Sequence, residues 1–350
     1  MKDRIKAGII GMLGYAGEEL LRILSGHGRA DVVYAADKAG AGAGDRKVGD
    51  IYPALEGGIK DVVCGDYSPE GLKKSGCDCV FLALPHGVSV NIVPQALDAG
   101  VKTVIDLSAD YRINDIKTYE QWYQVKHGHK ELLSKAVYGL PELYREKIGR
   151  AQVIANPGCY PTSIILACAP LFKGGAHADI SGVIADSKSG YSGGGRKFAG
   201  EYEKKGGGNT YAYKTGGTHR HIPEVEQELG RLAGHGVKVT FTPHVMPQVR
   251  GMFSAVYPDG DWKDADPEEL LREYGEYYSG EPFVRVLEPG KLPATGSVVK
   301  SNYCDIGISV DKRTDKLIVF SSIDNLTKGA SGQAVQNMNI AFGIDEKEGL

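Results

Sequence analysis

Three consecutive stretches near the start of the chain leave few folds open: Ile5-Lys6-Ala7-Gly8-Ile9-Ile10, then Gly11-Met12-Leu13-Gly14-Tyr15-Ala16-Gly17, then Glu18-Glu19-Leu20-Leu21-Arg22-Ile23-Leu24. An apolar strand, a glycine turn and a helix with apolar residues on one face form the opening unit of a dinucleotide-binding α/β domain. The glycines let the backbone approach a pyrophosphate, and the helix start supplies amide donors and a partial positive charge. The spacing is G-x-x-G-x-x-G rather than the commoner G-x-G-x-x-G. Phosphate binding by Gly11, Gly14, Tyr15 and Gly17 therefore rests on their place between strand and helix, with a purely structural turn as the competing reading. A second strand, Val32-Val33-Tyr34-Ala35-Ala36, ends at Asp37-Lys38. An acid there binds ribose hydroxyls of NAD and repels the extra phosphate of NADP, whereas a lysine attracts that phosphate. Strands Cys79–Leu84 and Lys102–Leu107 place Pro85-His86-Gly87 and Ser108-Ala109-Asp110 at their carboxyl ends, where open parallel sheets hold ligands. The pattern is a doubly wound, Rossmann-type sheet.

At 350 residues the chain is long for one core, and two domains are expected. The formal net charge of −3 and the lack of a basic tract give no footprint for nucleic acid. No apolar run reaches the roughly 18 residues of a membrane span, and no export segment is read at the N-terminus. The six cysteines, at 64, 77, 79, 159, 168 and 304, are scattered, so free thiols in a reducing cytoplasm are expected. Cys77 and Cys79 lack a second pair to complete a zinc site and read as structural.

Cys159 stands apart. It lies in Asn156-Pro157-Gly158-Cys159-Tyr160-Pro161-Thr162, between a strand Val153-Ile154-Ala155 and a helix read over Thr162–Ala167. Near a helix N-terminus a thiolate is stabilised and becomes a good nucleophile toward an activated carbonyl. A buried structural cysteine fits the same residues equally well.

Glycine, 48 residues in all, is densest between Gly190 and Gly217, a stretch that also holds Arg196, Lys197, Lys204, Lys205, Tyr211 and Tyr213. Such a segment is either a loose surface loop or backbone shaped around a ligand. It leads into Thr218-His219-Arg220-His221-Ile222-Pro223-Glu224, where a helix is read from Glu224 onward. Two histidines at i and i+2 without an acidic or cysteine partner make a poor metal site, and none is expected. A general acid/base beside Arg220 uses all three side chains; a functionless surface pair is the plain reading.

Taken together, Gly11–Gly17, Leu84–Gly87, Ile105–Arg112, Tyr138–Glu142, Asn156–Thr162, Ser189–Arg196, His219–His221 and Asp324–Gln333 resemble N-acetyl-γ-glutamyl-phosphate reductases. Their wider relatives are the aspartate-semialdehyde dehydrogenases. The resemblance runs in order along essentially the whole chain. It implies an oxidoreductase of arginine biosynthesis that reduces an acyl phosphate, a small-molecule substrate, to an aldehyde through a cysteine thioester. Cys159 is then the nucleophile and His219, rather than His221, the acid/base, with Tyr213 or its competitor Tyr211 near the reacting carbonyl. Arg112 is expected to grip the phosphate, Arg196 or Arg220 the α-carboxylate, and Ser189 to line the substrate site. Asn325 and Gly329 match the nicotinamide-side loop, so Asn325 joins Pro85 in the cofactor set. The family shows serine and arginine at the end of the second strand, where this chain has Asp37-Lys38; NADP is the implied cofactor, with Lys38 on its phosphate.

The implied architecture is a Rossmann-type domain over 1–158 and 323–350, with an inserted α+β substrate and dimerisation domain over 159–322. Strands of the insert are expected at Gly182–Asp186, Lys238–Pro243, Gly251–Tyr257 and Tyr303–Val310, with a further strand at Leu317–Phe320 and a returning helix at Ala334–Ile340. A homodimer or homotetramer is implied by the fold group. A sister reductase acting on a carrier-bound α-aminoadipate acyl phosphate, in lysine synthesis, is the nearest alternative. A non-catalytic nucleotide sensor on the same fold is disfavoured by the intact Cys159, His219 and Arg112 set.

Overall fold

A computed structural model of the chain describes residues 4–37, 44–172 and 180–350, and Lys38 lies outside them. The chain divides into two compact units, 1–158 with 330–350, and 159–329.

Among the described residues the first unit is built on eight strands: β1 Ile5–Ile10, β2 Ala30–Asp37, β3 Arg46–Lys47, β4 Val63–Asp66, β5 Cys79–Leu82, β6 Thr103–Asp106, β7 Val137–Tyr138 and β8 Val153–Ala155. Their order is β3-β4-β2-β1-β5-β6-β8-β7, and only the β3–β4 pairing is antiparallel. The chain builds outward from β1 in one direction and from β5 in the other. Loops after these two strands therefore diverge, and the crevice they leave is the ligand position of doubly wound sheets. Strands β5, β6 and β8 are buried throughout, as both-face coverage requires. Alternate residues serve opposite cores: Cys79 and Phe81 pack with Leu20, Leu21, Val335 and Met338, while Val80 and Leu82 pack with Ile92, Val93 and Ala96. Helices Tyr15–Ser25 and Gly332–Ala341 thus cover one face and helix Ser89–Asp98 the other.

The second unit carries seven described strands, β9 Gly182–Gly190, β10 Tyr211–Ala212, β11 Lys238–Met246, β12 Met252–Pro258, β13 Val284–Val286, β14 Cys304–Asp311 and β15 Lys316–Ile323. They run in the order β10-β11-β9-β12-β15-β14-β13, mostly antiparallel. Helix Cys159–Phe172 lies against one face and is apolar nearly all round. A buried polar seam fixes its register: Ser254 Oγ lies 2.6 Å from Ser163 Oγ and 2.7 Å from Ser187 Oγ, and Ser321 Oγ donates to Ser163 O. The opposite face carries Ile184, Phe253 and Phe320, with Ile184 47% exposed and the two phenyl rings 5.8 Å apart.

Two boundaries differ from the sequence reading. Helix Cys159–Phe172 begins at Cys159 itself rather than at Thr162, because Pro161 falls in the first turn, where its missing N–H costs nothing. The second unit runs to Gly329 rather than 322, since Asp324 and Asn325 bond to Arg250 and Gly251 within it. Among the described residues no helix is long and apolar enough to cross a membrane.

Candidate active site

In the first unit Gly11 leaves β1 at φ +97, and a Cβ there would stand 2.3 Å from Ala83 O. A Cβ on Gly17 would come within 2.4 Å of Gly11 O, so the third glycine lets helix Tyr15–Ser25 press onto the turn. The helix starts behind Gly14 with no side-chain cap, and Tyr15 is its first residue. Gly14 at the N-cap brings no side chain of its own to this helix start, whose positive end suits an anion, and the cradle fits a dinucleotide pyrophosphate. Asp37, 7% exposed at the end of β2, accepts from Leu13 N–H at 3.0 Å and so braces the same turn.

The start of helix Ser89–Asp98 is different. Buried Asp110 accepts from Gly87 N–H at 2.8 Å, from Val90 N–H at 3.1 Å and from the Tyr119 hydroxyl at 2.7 Å. A carboxylate from a distant loop has taken the anion position. The same bonds hold Pro85-His86-Gly87, whose proline and histidine are exposed. His86 Nδ1 accepts from Ala109 N–H, which places the hydrogen of the neutral ring on Nε2. Burial, with Asp110 beside it, pushes the Asp106 carboxyl up, and Ser108 donates to it through both Oγ and N–H.

At the end of β8 the turn before Cys159 is stapled. Arg112, only 4% exposed, donates through Nε to Asn156 O and through Nη2 to Leu107 O, both at 2.7 Å. Asn337 donates to Asn156 Oδ1 and Gly139 O, while Asn156 Nδ2 donates to Ala330 O.

In the second unit Cys159 opens the buried helix and is itself half-exposed, whereas the other five cysteines are buried and all six are free. Tyr160 points its hydroxyl to His244 O at 3.1 Å and receives the Tyr213 hydroxyl at 3.4 Å. His219 is enclosed by rings: Tyr160 at 5.8 Å, Tyr213 at 5.6 Å, Phe241 at 5.0 Å and His221 at 4.8 Å between centroids. That burial, reinforced by the charges of Lys214 and Arg220, brings the His219 imidazole down to about 4. Its Nδ1 accepts from His221 N–H at 3.1 Å, so the neutral ring carries its hydrogen on Nε2. Burial raises Tyr213 to about 12, and the charge of Cys159 acts on both Tyr213 and Tyr160. Both phenols are hydrogen-bond donors at neutral pH.

Tyr213, not Tyr211, belongs to this cluster. Tyr211 is 41% exposed and lies against Tyr202, in a separate ladder with Tyr191. Ser189 is buried beside Tyr160, with Oγ donating to Gly190 O. Arg220 is half-buried and Arg196 exposed at the start of helix Gly195–Lys204. Asn325 uses its amide inside the unit, accepting from Gly251 N–H and donating to Ser192 Oγ. The sequence reading missed Phe241, and it gave Asp110 and Asp324 only as members of their motifs, with no anchoring role; the signal for the two acids was their position just past a strand.

A glycine-turn cradle in one unit, and Cys159 beside the Tyr160–Tyr213–His219 rings in the other, go with the semialdehyde dehydrogenase class, which both halves of the chain match. Residues 6–151 match the family described as semialdehyde dehydrogenase, NAD binding domain, and residues 159–325 the semialdehyde dehydrogenase, dimerisation domain. Aspartate semialdehyde dehydrogenase II of Vibrio cholerae, solved in complex with ASA, shares the fold at a TM-score of 0.72 and 16% identity, over 98% of this chain and 99% of that one. The Candida albicans aspartate semialdehyde dehydrogenase with NADP gives 0.68 at 16% identity, over 97% and 98%. The N-acetyl-gamma-glutamyl-phosphate reductase of Pelotomaculum thermopropionicum is 51% identical over 99% of this chain and 97% of its own length, and that of Symbiobacterium thermophilum 47% over 99% and 97%. The chain belongs to the N-acetyl-gamma-glutamyl-phosphate reductase family.

Proposed function

We propose that this chain reduces N-acetyl-γ-glutamyl phosphate to N-acetyl-glutamate 5-semialdehyde and phosphate, with NADPH, in arginine biosynthesis. The observation that carries the reading is Cys159 in the first turn of its helix, its charge acting on Tyr160 and Tyr213, whose rings both lie against His219. Cys159, its thiol proton released to solvent, attacks the acyl carbon through Sγ as the thiolate, the carbon–oxygen bond to phosphate breaks, and a proton from solvent goes to the departing phosphate. The product is a thioester on Cys159. When bound, the dinucleotide supplies hydride chemistry. Reduction of the thioester carbon leaves negative charge on its oxygen, and the Nε2–H of neutral His219 and the Tyr213 hydroxyl are the donors for that charge. The oxyanion re-forms the carbonyl and expels the Cys159 thiolate, so the enzyme is regenerated.

Arg112 places a buried positive charge at Asn156, three positions before the nucleophile, and serves the phosphate. Arg196 or Arg220 takes the carboxylate, through the two-pronged geometry a guanidinium offers. Ser189 supports the substrate wall behind Tyr160. Gly11, Gly14, Tyr15 and Gly17 hold the pyrophosphate, and Pro85 borders the nicotinamide. Asn325 fixes its own loop through Gly251 and Ser192, in the stretch that resembles the family's nicotinamide-side loop, and Lys38 serves the NADP phosphate. The open face of the second sheet is the surface for a homodimer or homotetramer. The free cysteines fit a reducing cytoplasm.

The test is reductase activity on N-acetyl-γ-glutamyl phosphate, read as NADPH oxidation and repeated with NADH. We expect turnover with at least a tenfold preference for NADPH in kcat/KM. Turnover only on a carrier-bound aminoadipyl phosphate would overturn the substrate, and a preference for NADH the cofactor.

A further inference from the structure

The segment after β15, Asp324-Asn325-Leu326-Thr327-Lys328-Gly329, is anchored through the buried carboxylate of Asp324. Asp324 is fully buried, and its Oδ2 accepts from Arg250 Nε at 2.9 Å and from Lys300 N–H at 2.6 Å. Its Oδ1 accepts from Leu326 N–H at 2.8 Å and Thr327 N–H at 3.3 Å. Arg250 Nη2 reaches on to Thr327 Oγ1 at 3.1 Å. Lys300 is held at φ +63, a left-handed conformation that a non-glycine residue keeps only where its surroundings impose it. The segment then enters a π-helical turn over Thr327–Ser331, a feature that concentrates at functional sites.

What this anchoring delivers is Gly329. Its N–H donates to Asp324 O at 2.9 Å, and a Cβ at Gly329 would stand 2.8 Å from the Cβ of Cys159 and 3.3 Å from its Cα. Bare backbone is thus seated against the Cα–Cβ bond about which the thiol rotates. A side chain on that bond has three staggered wells, and a wall on one side removes part of that freedom.

We propose that Asp324 is a positioning residue for the nucleophile: through its turn it seats the Gly329 backbone against Cys159 and so fixes the direction of the thiol. This rests on Cys159 being the nucleophile, as proposed above. A pre-aimed thiol gains rate by sparing the ordering step at the moment of attack.

The experiment compares Gly329→Ala, Cys159→Gly, their double variant, Asp324→Asn and Cys159→Ser with the parent chain. The readouts are kcat, KM, NADPH affinity, Tm, and the rate at which iodoacetamide alkylates Cys159, followed by mass spectrometry. Gly329→Ala should lower kcat and, measured without cofactor, the Cys159 alkylation rate at least tenfold. It should also lower Tm, and removing the Cys159 Cβ in the double variant should recover more Tm than the two single changes predict by addition. Asp324→Asn should reproduce the losses in kcat and alkylation. Wild-type kcat and alkylation in Gly329→Ala, or strictly additive Tm values, would overturn the proposal. Turnover surviving in Cys159→Ser would instead sink the reading of Cys159 on which it rests.

Discussion

Two helices, Tyr15–Ser25 in the first unit and Cys159–Phe172 in the second, begin directly after a buried strand and a glycine-containing turn, yet their starts are put to different uses. At the first, glycine removes side chains so that backbone amides can meet an anion from outside. At the second, a side chain is placed in the first turn, and the neighbouring backbone of Gly329 comes up against it. The positive end of a helix is the same physical object in both. On the function proposed above, whether it binds or reacts is decided by which side chain occupies the opening turn and by what is packed around it.

The sharpest break in that comparison is Cys159→Ser. Turnover should fall by about 1,000-fold or more, because loss of the nucleophile removes the covalent route entirely. NADPH affinity, measured by fluorescence, should stay within twofold, since the other helix start is untouched. The mirror experiment is Gly11→Ala. A Cβ 2.3 Å from Ala83 O, on a residue at φ +97, should cost on the order of 3 kcal/mol of stability and weaken NADPH at least tenfold. Cys159 alkylation should survive in whatever fraction stays folded. Loss of cofactor affinity in the first variant, or retention in the second, would erase the distinction.

A subtler effect concerns His219. Its proton affinity is lowered from 6.5 to about 4 on folding, so the unfolded chain takes up the proton first as pH falls. The stability from burying this ring in its neutral form is full above pH 6.5 and is lost progressively between 6.5 and 4, amounting to about 3 kcal/mol. Denaturation at several pH values should show that loss in the parent and not in His219→Asn. The acidic limb that His219 imposes on kcat should likewise fall near pH 4 to 5; a limb near 6.5 that disappears in His219→Asn would contradict the buried, neutral ring. The smallest effect is expected at the second sheet's open face. Ile184→Asp should weaken self-association about tenfold, read by sedimentation, with kcat per folded protomer little changed.

Much of this was legible in the chain because the signals are contiguous. Strand, glycine turn and helix lie within Ile5–Ser25, and β8 runs into Cys159 with three residues between. The alternatives that stayed open needed the third dimension. Tyr211 and Tyr213 sit two positions apart, and pairing of Tyr211 with Val245 in β10–β11 carries it to the exposed ladder while Tyr213 reaches Tyr160. The anchoring roles of Asp110 and Asp324 were not legible because the partners that fix them are remote in sequence: Gly87 for the first, Arg250 and Lys300 for the second. A bond between residues so far apart in the chain leaves no local pattern to read.

The helix Gly332–Ala341 places Val335 and Met338 in the same core as Ile9, Phe81 and Ile154, so the dinucleotide-binding unit lacks part of its interior until the segment after Gly329 has been synthesised. On a ribosome making about 5–20 residues per second, the β1–β8 sheet waits for the whole 159–329 insert to pass before its last helix arrives. A nascent chain stalled before Val335 carries an exposed apolar sheet face, which is the surface a chaperone would be expected to cover during that interval.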